Sequence, residues 1–358
     1  MNIVKDWFQR FISDPQLVAL ALILLSVIAI LATFGQMLAP VLASIVIAYL
    51  LEGLVERVER RGLPRRGSVV VIYVLFVLFL AVLLLGVLPL VSVEIAQLAK
   101  QLPNMLTQGM QSLMALPHRY PGLVTTEGLD SMTDSMRSGA MSSAQHLLSW
   151  SLTGVVDLIT LLVYLVLMPM LVFFFLKDKE LILNWFRRRF PSKHRGFVGA
   201  IWIDVDRQIS NYVRGKAWEV LIAWVANFAV FAVFGLKYAM LLSLLVGLSV
   251  IIPYVGAAVV TVPVMLVAAF QWGWSAQLGW LAAVYFLLHA LDGNVLVPLL
   301  YSEVVDLHPV AIIVAILIFG GIWGFWGVFF AIPLATLVEA ILNAWPNATE
   351  EDTPTSIA

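Results

Sequence analysis

The stretch Tyr238–Phe270 reads YAMLLSLLVGLSVIIPYVGAAVVTVPVMLVAAF. It carries no Asp, Glu, Lys or Arg, and Ile252-Pro253-Tyr254-Val255-Gly256 divides it. Each arm has about 15 residues, short of the roughly 20 that an apolar helix needs to cross a bilayer. A second stretch, Val310–Leu342, has the same form. It is broken around Gly320, Gly321, Gly324 and Gly327. Pro263 and Pro333 interrupt the second arms. Between the two stretches lies one apolar span, Leu278–Val297, and another, Ala217–Phe234, precedes the first stretch. The order is span, broken hairpin, span, broken hairpin, in units of about 60–70 residues over 211–270 and 277–344. Unpaired backbone is tolerated at membrane depth only where protein buries it or a wet cavity meets it. A matched pair of Gly/Pro-interrupted segments is therefore the sequence mark of a transporter's binding region. The two stretches are either re-entrant, as an inverted repeat, or tight hairpins of full crossings. Charge counting does not separate these.

The rest of the chain agrees with a membrane setting. Of 358 residues, 61% are hydrophobic and 12% charged, against about 45–50% and 25% in soluble domains. Further candidate spans are Gln16–Phe34, Met37–Leu51, Ser68–Val91 and Leu152–Leu176. The expected fold is all-α and polytopic, with about 8 membrane segments including the two broken hairpins. Leu17–Phe34 is too long for a secretory signal and reads as a retained helix.

Arg57, Arg60, Arg61, Arg65 and Arg66 cluster in one loop, and ten Lys and Arg fall between Lys177 and Lys216. Residues 93–150 carry only Lys100, Arg119 and Arg137. The positive-inside bias puts both basic loops in the cytoplasm and 93–150 outside, with the N- and C-termini cytoplasmic. The organisation expected is an N-terminal membrane region (1–92), an extracytoplasmic helical segment (93–150), a transport core (151–345) holding cytoplasmic loop 177–216, and a disordered tail (346–358). In the outer segment Ile95, Leu98, Leu102, Met105 and Leu106 recur at helical spacing. That stripe marks either a lid or partner surface, or helices packed on their own spans. Pro103, Pro117 and Pro121 punctuate it.

Asp292 lies inside an apolar run, Leu-Leu-His-Ala-Leu-Asp-Gly-Asn-Val-Leu-Val-Pro. A carboxylate there costs about 2.5–3.5 kcal/mol on insertion scales, so it marks a functional site by default. Gly293 permits close backbone approach, Asn294 supplies donor and acceptor, and His289 shares the helical face of Asp292. The cluster suits a proton, a cation or a hydroxylated solute. The competing reading makes Asp292 a cap in an interfacial turn near Pro298 and Tyr301. Glu303, Asp306 and His308 sit before the second stretch, as a proton or cation gate or as a solvated loop. Arg214, Lys216 and Glu219 lie where Ala217–Phe234 meets the cytoplasm; Lys216 and Glu219, three apart, can pair, and snorkelling at the interface accounts for all three. Trp323 and Trp326 read as cavity lining or interface anchors.

Several classes of chemistry lack their residues. There is no cysteine, and no Walker signature, Gly-x-Ser-x-Gly elbow or paired-histidine zinc motif occurs. Catalysis, a metal and a cofactor are not expected. A net charge of -1 leaves no basic excess for nucleic acid.

The motifs Ala290-Leu-Asp-Gly-Asn-Val-Leu-Val-Pro298, Leu307-His-Pro309, Phe319-Gly-Gly-Ile-Trp-Gly-Phe-Trp-Gly327 and Ala331-Ile-Pro-Leu-Ala335 resemble the autoinducer-2 exporter family of permeases. Val172-Phe-Phe-Phe-Leu-Lys-Asp178 and Ile252-Pro-Tyr-Val-Gly256 are also similar, and the likeness is strongest to its PerM-like branch. The resemblance covers nearly the whole chain. It implies a bacterial inner-membrane permease that moves a small polar solute and forms a homo-oligomer, a pentamer by analogy. A sodium or lithium/proton antiporter is the alternative that resemblance also allows, with H+ or Na+ as partner. A non-transporting scaffold that recruits partners through 93–150 is a third reading.

Overall fold

The computed structural model describes residues 15–114, 154–189, 195–253, 255–301 and 308–343. Glu303, Asp306, Pro117, Pro121 and the C-terminal tail lie outside the described residues. Every regular element among the described residues is helical, and five helices there are long and apolar enough to cross a membrane. The protein is an all-α polytopic membrane protein.

Helix α1, Pro15–Glu59, runs unbroken for 45 residues, about 68 Å at the helical rise. The two expected spans, Gln16–Phe34 and Met37–Leu51, both fall within it as one helix. Pro40 sits inside the helix. A proline removes one backbone donor, but in a membrane no water competes for the freed carbonyl, so the helix survives. The Ser44 hydroxyl, fully buried, donates to the Pro40 carbonyl at 2.6 Å. Two antiparallel crossings do not occur within α1, so counting them does not set the side of the N-terminus.

The helices after α1 follow in short order. A turn through Gly62, at φ +97°, leads to α2, Arg65–Val82. A π-helical turn, Leu83–Val87, joins α2 to α3, Leu88–Met114. The helix is thus continuous from the third candidate span into the first part of 93–150, with Pro103 inside it. Next come α4 (Gly154–Lys177), α5 (Lys179–Arg189) and α6 (Arg195–Phe234). The first broken stretch is a hairpin of α7 (Ala239–Ser249) and α8 (Val255–Trp272). Then α9, Ala276–Leu291, continues through a second π turn, Asp292–Leu296, into α10, Val297–Tyr301. The second broken stretch is a hairpin of α11 (Pro309–Trp323) and α12 (Phe325–Asn343).

The chain forms two compact units. One takes in Met1–Ala48, Asp178–Ile209 and Val305–Ala358; the other takes in Tyr49–Lys177 and Ser210–Val304. The α11–α12 hairpin belongs to the first unit. Its break is Gly324 alone, with φ +62°. Gly320 and Gly321 stay within α11, and Gly327 within α12. Pro333 does not interrupt α12, as Pro263 does not interrupt α8. Trp323 stacks on Phe330 at 5.8 Å, and Trp326 on Phe330 at 6.3 Å, closing the hairpin with aromatic rings.

The second unit holds a continuous core. Phe231, Leu242, Val264, Leu281 and Tyr285 are fully buried there, and Leu98 and Met105 of α3 pack against it. Those two members of the apolar stripe therefore serve packing, while Ile95 points outward, 40% exposed. Glu94 of α3 accepts from the Leu241 backbone N–H at 2.7 Å. It caps the start of α7, where helical N–H groups lack partners and the dipole favours an anion. Tyr238 precedes α7 at φ +59°, and its hydroxyl donates to Gln101 at 2.8 Å.

One end of this bundle is closed by side-chain amides. Gln271 accepts from the Lys237 N–H and donates to the Gly235 carbonyl, both at 2.7 Å, and Gln277 donates to the Phe234 carbonyl at 3.1 Å. Gly235, at φ +69°, ends α6 with N–H bonds from Leu236 to Phe231 and from Gly235 to Ala232, a Schellman motif. Trp274 is fully exposed beside this end, and Trp280 is 68% exposed, as membrane-interface anchors are. Leu78, Leu85, Val233 and Leu299 also turn outward, an apolar surface suited to lipid.

A buried charged pair and a cavity beside Asp292

In the second unit α6 brings Lys216 and Glu219 onto one face. Lys216 Nζ lies 2.8 Å from Glu219 Oε2, and the two residues are only 9% and 3% exposed. The pairing expected from their i,i+3 spacing is present, but the two side chains are buried rather than snorkelling at an interface. The reason is visible at the hairpin. Lys216 Nζ also donates to the Val250 carbonyl at 3.1 Å, at the C-terminal end of α7. Helix ends leave carbonyls without partners and favour a cation. Lys216 meets both needs, and Glu219 neutralises it.

The hairpin tip needs glycine for its shape. A Cβ at Gly256 would overlap the Ser249 carbonyl, so α7 and α8 meet there backbone to backbone. Gly247 fits against the Val220–Trp224 turn of α6, where a Cβ would lie 2.7 Å from Trp224 Cβ. The link 250–253 contains Pro253, whose carbonyl accepts from the Val255 N–H at 2.7 Å. Gly256 itself belongs to the first turn of α8. The other unit repeats this device: a Cβ at Gly327 would overlap the Phe319 carbonyl.

Beside the tip lies a cavity of about 300 Å³, walled by α6, the end of α7 and the α9–π segment. Its wall is mostly apolar, with Asn227, His289 and Asp292 as the polar lining residues. Asp292 occupies the start of the π turn that carries α9 on into α10. The wider π turn adds a residue to the helix and is frequent at functional sites. Asp292 Oδ1 is buried and makes no hydrogen bond among the described residues. It interacts electrostatically with both Glu219 and Lys216. His289 Nδ1 bonds the Tyr285 carbonyl at 3.1 Å, and Tyr285 in turn shares a hydrogen bond with Thr261 at 3.0 Å. A carbonyl only accepts, so Nδ1 carries the proton and Nε2 of the neutral ring is an acceptor.

The remaining sequence candidates separate. Asn294 donates to the Ala290 carbonyl at 2.8 Å, and Gly293 is exposed on the same turn. Neither lines the cavity. His308 caps α11, accepting from the Val310 N–H at 3.3 Å, with Pro309 in the first turn. Its position is that of a helix start. Two contributors escaped the sequence reading. One is Asn227. The other is the burial of the Lys216–Glu219 pair, since the spacing predicts the pairing but not its depth. A stripe of Glu219, Ala223 and Asn227 at four-residue spacing was the available signal. Among the described residues no group of three His, Asp or Glu is arranged to hold a metal ion.

The family model described as "AI-2E family transporter" matches residues 17–347. A protein of Escherichia coli (strain K12) named "Putative permease PerM" is 45% identical over 347 residues, covering 97% of this chain and 98% of its own. "Putative transport protein YrrI" of Bacillus subtilis (strain 168) is 29% identical, covering 85% of each chain. "AI-2 transport protein TqsA" of Escherichia coli (strain K12) is 24% identical, covering 86% of each. With a family match over nearly its full length, on a helical membrane scaffold, the chain belongs to the AI-2E family of transporters.

Proposed function

We propose that this transporter is a secondary permease of a bacterial inner membrane, moving a small polar solute through the cavity beside Asp292. One observation carries the reading: an unpartnered Asp292 oxygen beside a cavity, on a π turn within an apolar span. Unpartnered carboxylates at such depth are expensive and persist where they serve transport. The basic segment around Arg57–Arg66 faces the cytoplasm in this reading, by the positive-inside bias. Arg65 is held there by Glu52 at 3.0 Å and by Glu59 at 3.4 Å. The reading includes a homo-oligomer, which native mass spectrometry from detergent tests as a multiple of 39.6 kDa.

The test is uptake of cell metabolites into inverted vesicles, where export runs inward, read by mass spectrometry with and without the protein. Transport predicts at least one solute accumulating with the wild type and at most one-tenth of that rate with Asp292→Asn. Equal accumulation in both would remove Asp292 from the path.

A further inference from the structure

We infer that the second unit carries a site for an anionic phospholipid, with the phosphate on Arg214 and Arg57 and an acyl chain along the outer face of α6. The site does not involve Asp292 and stands apart from the transport reading. It starts from Gly53 of α1. A Cβ there would lie 2.7 Å from Arg214 Nε and 2.8 Å from its Cζ, so the guanidinium takes the space that a side chain would fill. Arg214 Nε is buried in that contact and has no acceptor. The residue as a whole stays partly exposed, which leaves its two terminal nitrogens to meet a ligand. They make no hydrogen bond or ion pair among the described residues. A snorkelling side chain reaches freely into water. Arg214 is instead a cation held against α1, and its planar fork of donors has the geometry of a phosphate partner.

The surrounding charge has the same sign. Arg57 lies one turn beyond Gly53 on α1 and is exposed. Glu52 and Glu59 are engaged by Arg65. Glu56 alone then faces Arg57, Arg60, Arg61 and Arg66 at this end of α1 and the start of α2. The apolar part of the site follows on α6. Trp218, Leu221, Val225 and Phe228 continue from Arg214 in steps of four and three residues, which is one helix face, and all four are exposed. A tryptophan one turn from the arginine suits the headgroup level. From Trp218 to Phe228 the helix rises about 15 Å, half of the ~30 Å hydrocarbon core. Cationic fork, interfacial ring and apolar track come in the order of a phospholipid's own parts. Charge complementarity selects an anionic head such as phosphatidylglycerol, because a zwitterionic head brings its own cation to the fork. Free phosphate would leave the track bare.

The experiment uses the full chain, delipidated in neutral detergent, with phosphatidylglycerol, phosphatidylcholine and inorganic phosphate as probes. Native mass spectrometry counts bound lipid and subunits, and thermal unfolding reports the stabilisation that binding gives. Phosphatidylglycerol should half-saturate at a concentration at least fivefold lower than phosphatidylcholine, and phosphate should leave the Tm unchanged. Arg214→Gln and Arg57→Gln should each abolish the preference, whereas Arg66→Gln, on α2, should keep it. Should Arg214→Gln fail to fold, the wild-type comparison and the exposed Arg57 still decide. Equal binding of the two lipids, an equal loss in Arg66→Gln, or the same Tm rise with phosphate alone overturns the inference. So does a Trp218→Ser chain that loses its oligomer and keeps its lipid preference, since the track then belongs to a second copy of the chain.

Discussion

Replacing Lys216 by methionine keeps the length of the apolar stem and deletes the ammonium. The change removes a 2.8 Å ion pair to Glu219 and a 3.1 Å bond to the Val250 carbonyl. It leaves the Glu219 side chain, 4% exposed, as a buried anion with Asp292 already within electrostatic reach. Breaking one partner of a buried pair costs about 3–5 kcal/mol, mostly from the charge left behind. Removing both partners is different. Lys216→Met with Glu219→Leu leaves chiefly the Val250 carbonyl unmet, a penalty of about 1–3 kcal/mol. The double variant should therefore be more stable than Lys216→Met alone, although it carries one more substitution. Reversible unfolding in mixed detergent micelles measures both. A loss below about 1 kcal/mol in Lys216→Met would mean that the ammonium is hydrated, as a snorkelling side chain is. Simple addition of the two single effects would show that the residues are not coupled.

Other substitutions test the hairpins. Gly256→Ala and Gly327→Ala must each force apart two backbones that a Cβ would overlap, so each should lower the thermal midpoint by several degrees and reduce folded yield. Wild-type midpoints for both would place the helix contacts wrongly. Glu94→Ala uncaps α7 and should destabilise by about 1–2 kcal/mol, with Glu94→Gln recovering part of it. Tyr285→Phe removes its hydrogen bond with Thr261 and should cost about 1 kcal/mol in the same unfolding assay.

The broken stretches were legible because proline and glycine interrupt otherwise uncharged runs, and both fold as helical hairpins. Which residue makes the break was less legible. Of Gly320, Gly321, Gly324 and Gly327, only Gly324 leaves the helix, while the others allow close packing or continue the turn. Reading Pro263 and Pro333 as interruptions follows rules learned in water, where a freed carbonyl is solvated and the chain can leave the helix. In an apolar surrounding, leaving the helix would free more groups than the proline does. Asp292 was legible from its cost in lipid. Lys216 and Glu219 were misjudged because the end of a span was read from its charges, and nothing local shows that the tip of a distant hairpin needs a cation. Asn227 escaped because one amide in an apolar helix carries no charge to draw attention.

The central claim is that a water-accessible cavity lies beside Asp292, between α6, the end of α7 and the α9–π segment. The chain has no cysteine, so single cysteines report without background. Leu288 lines the cavity, whereas its neighbour Leu287 is 57% exposed on the outer face of the same helix. Reaction with a charged, lipid-insoluble thiol reagent should be at least tenfold faster for Leu288→Cys than for Leu287→Cys in membranes. Equal rates, or faster labelling of Leu287→Cys, would contradict the account.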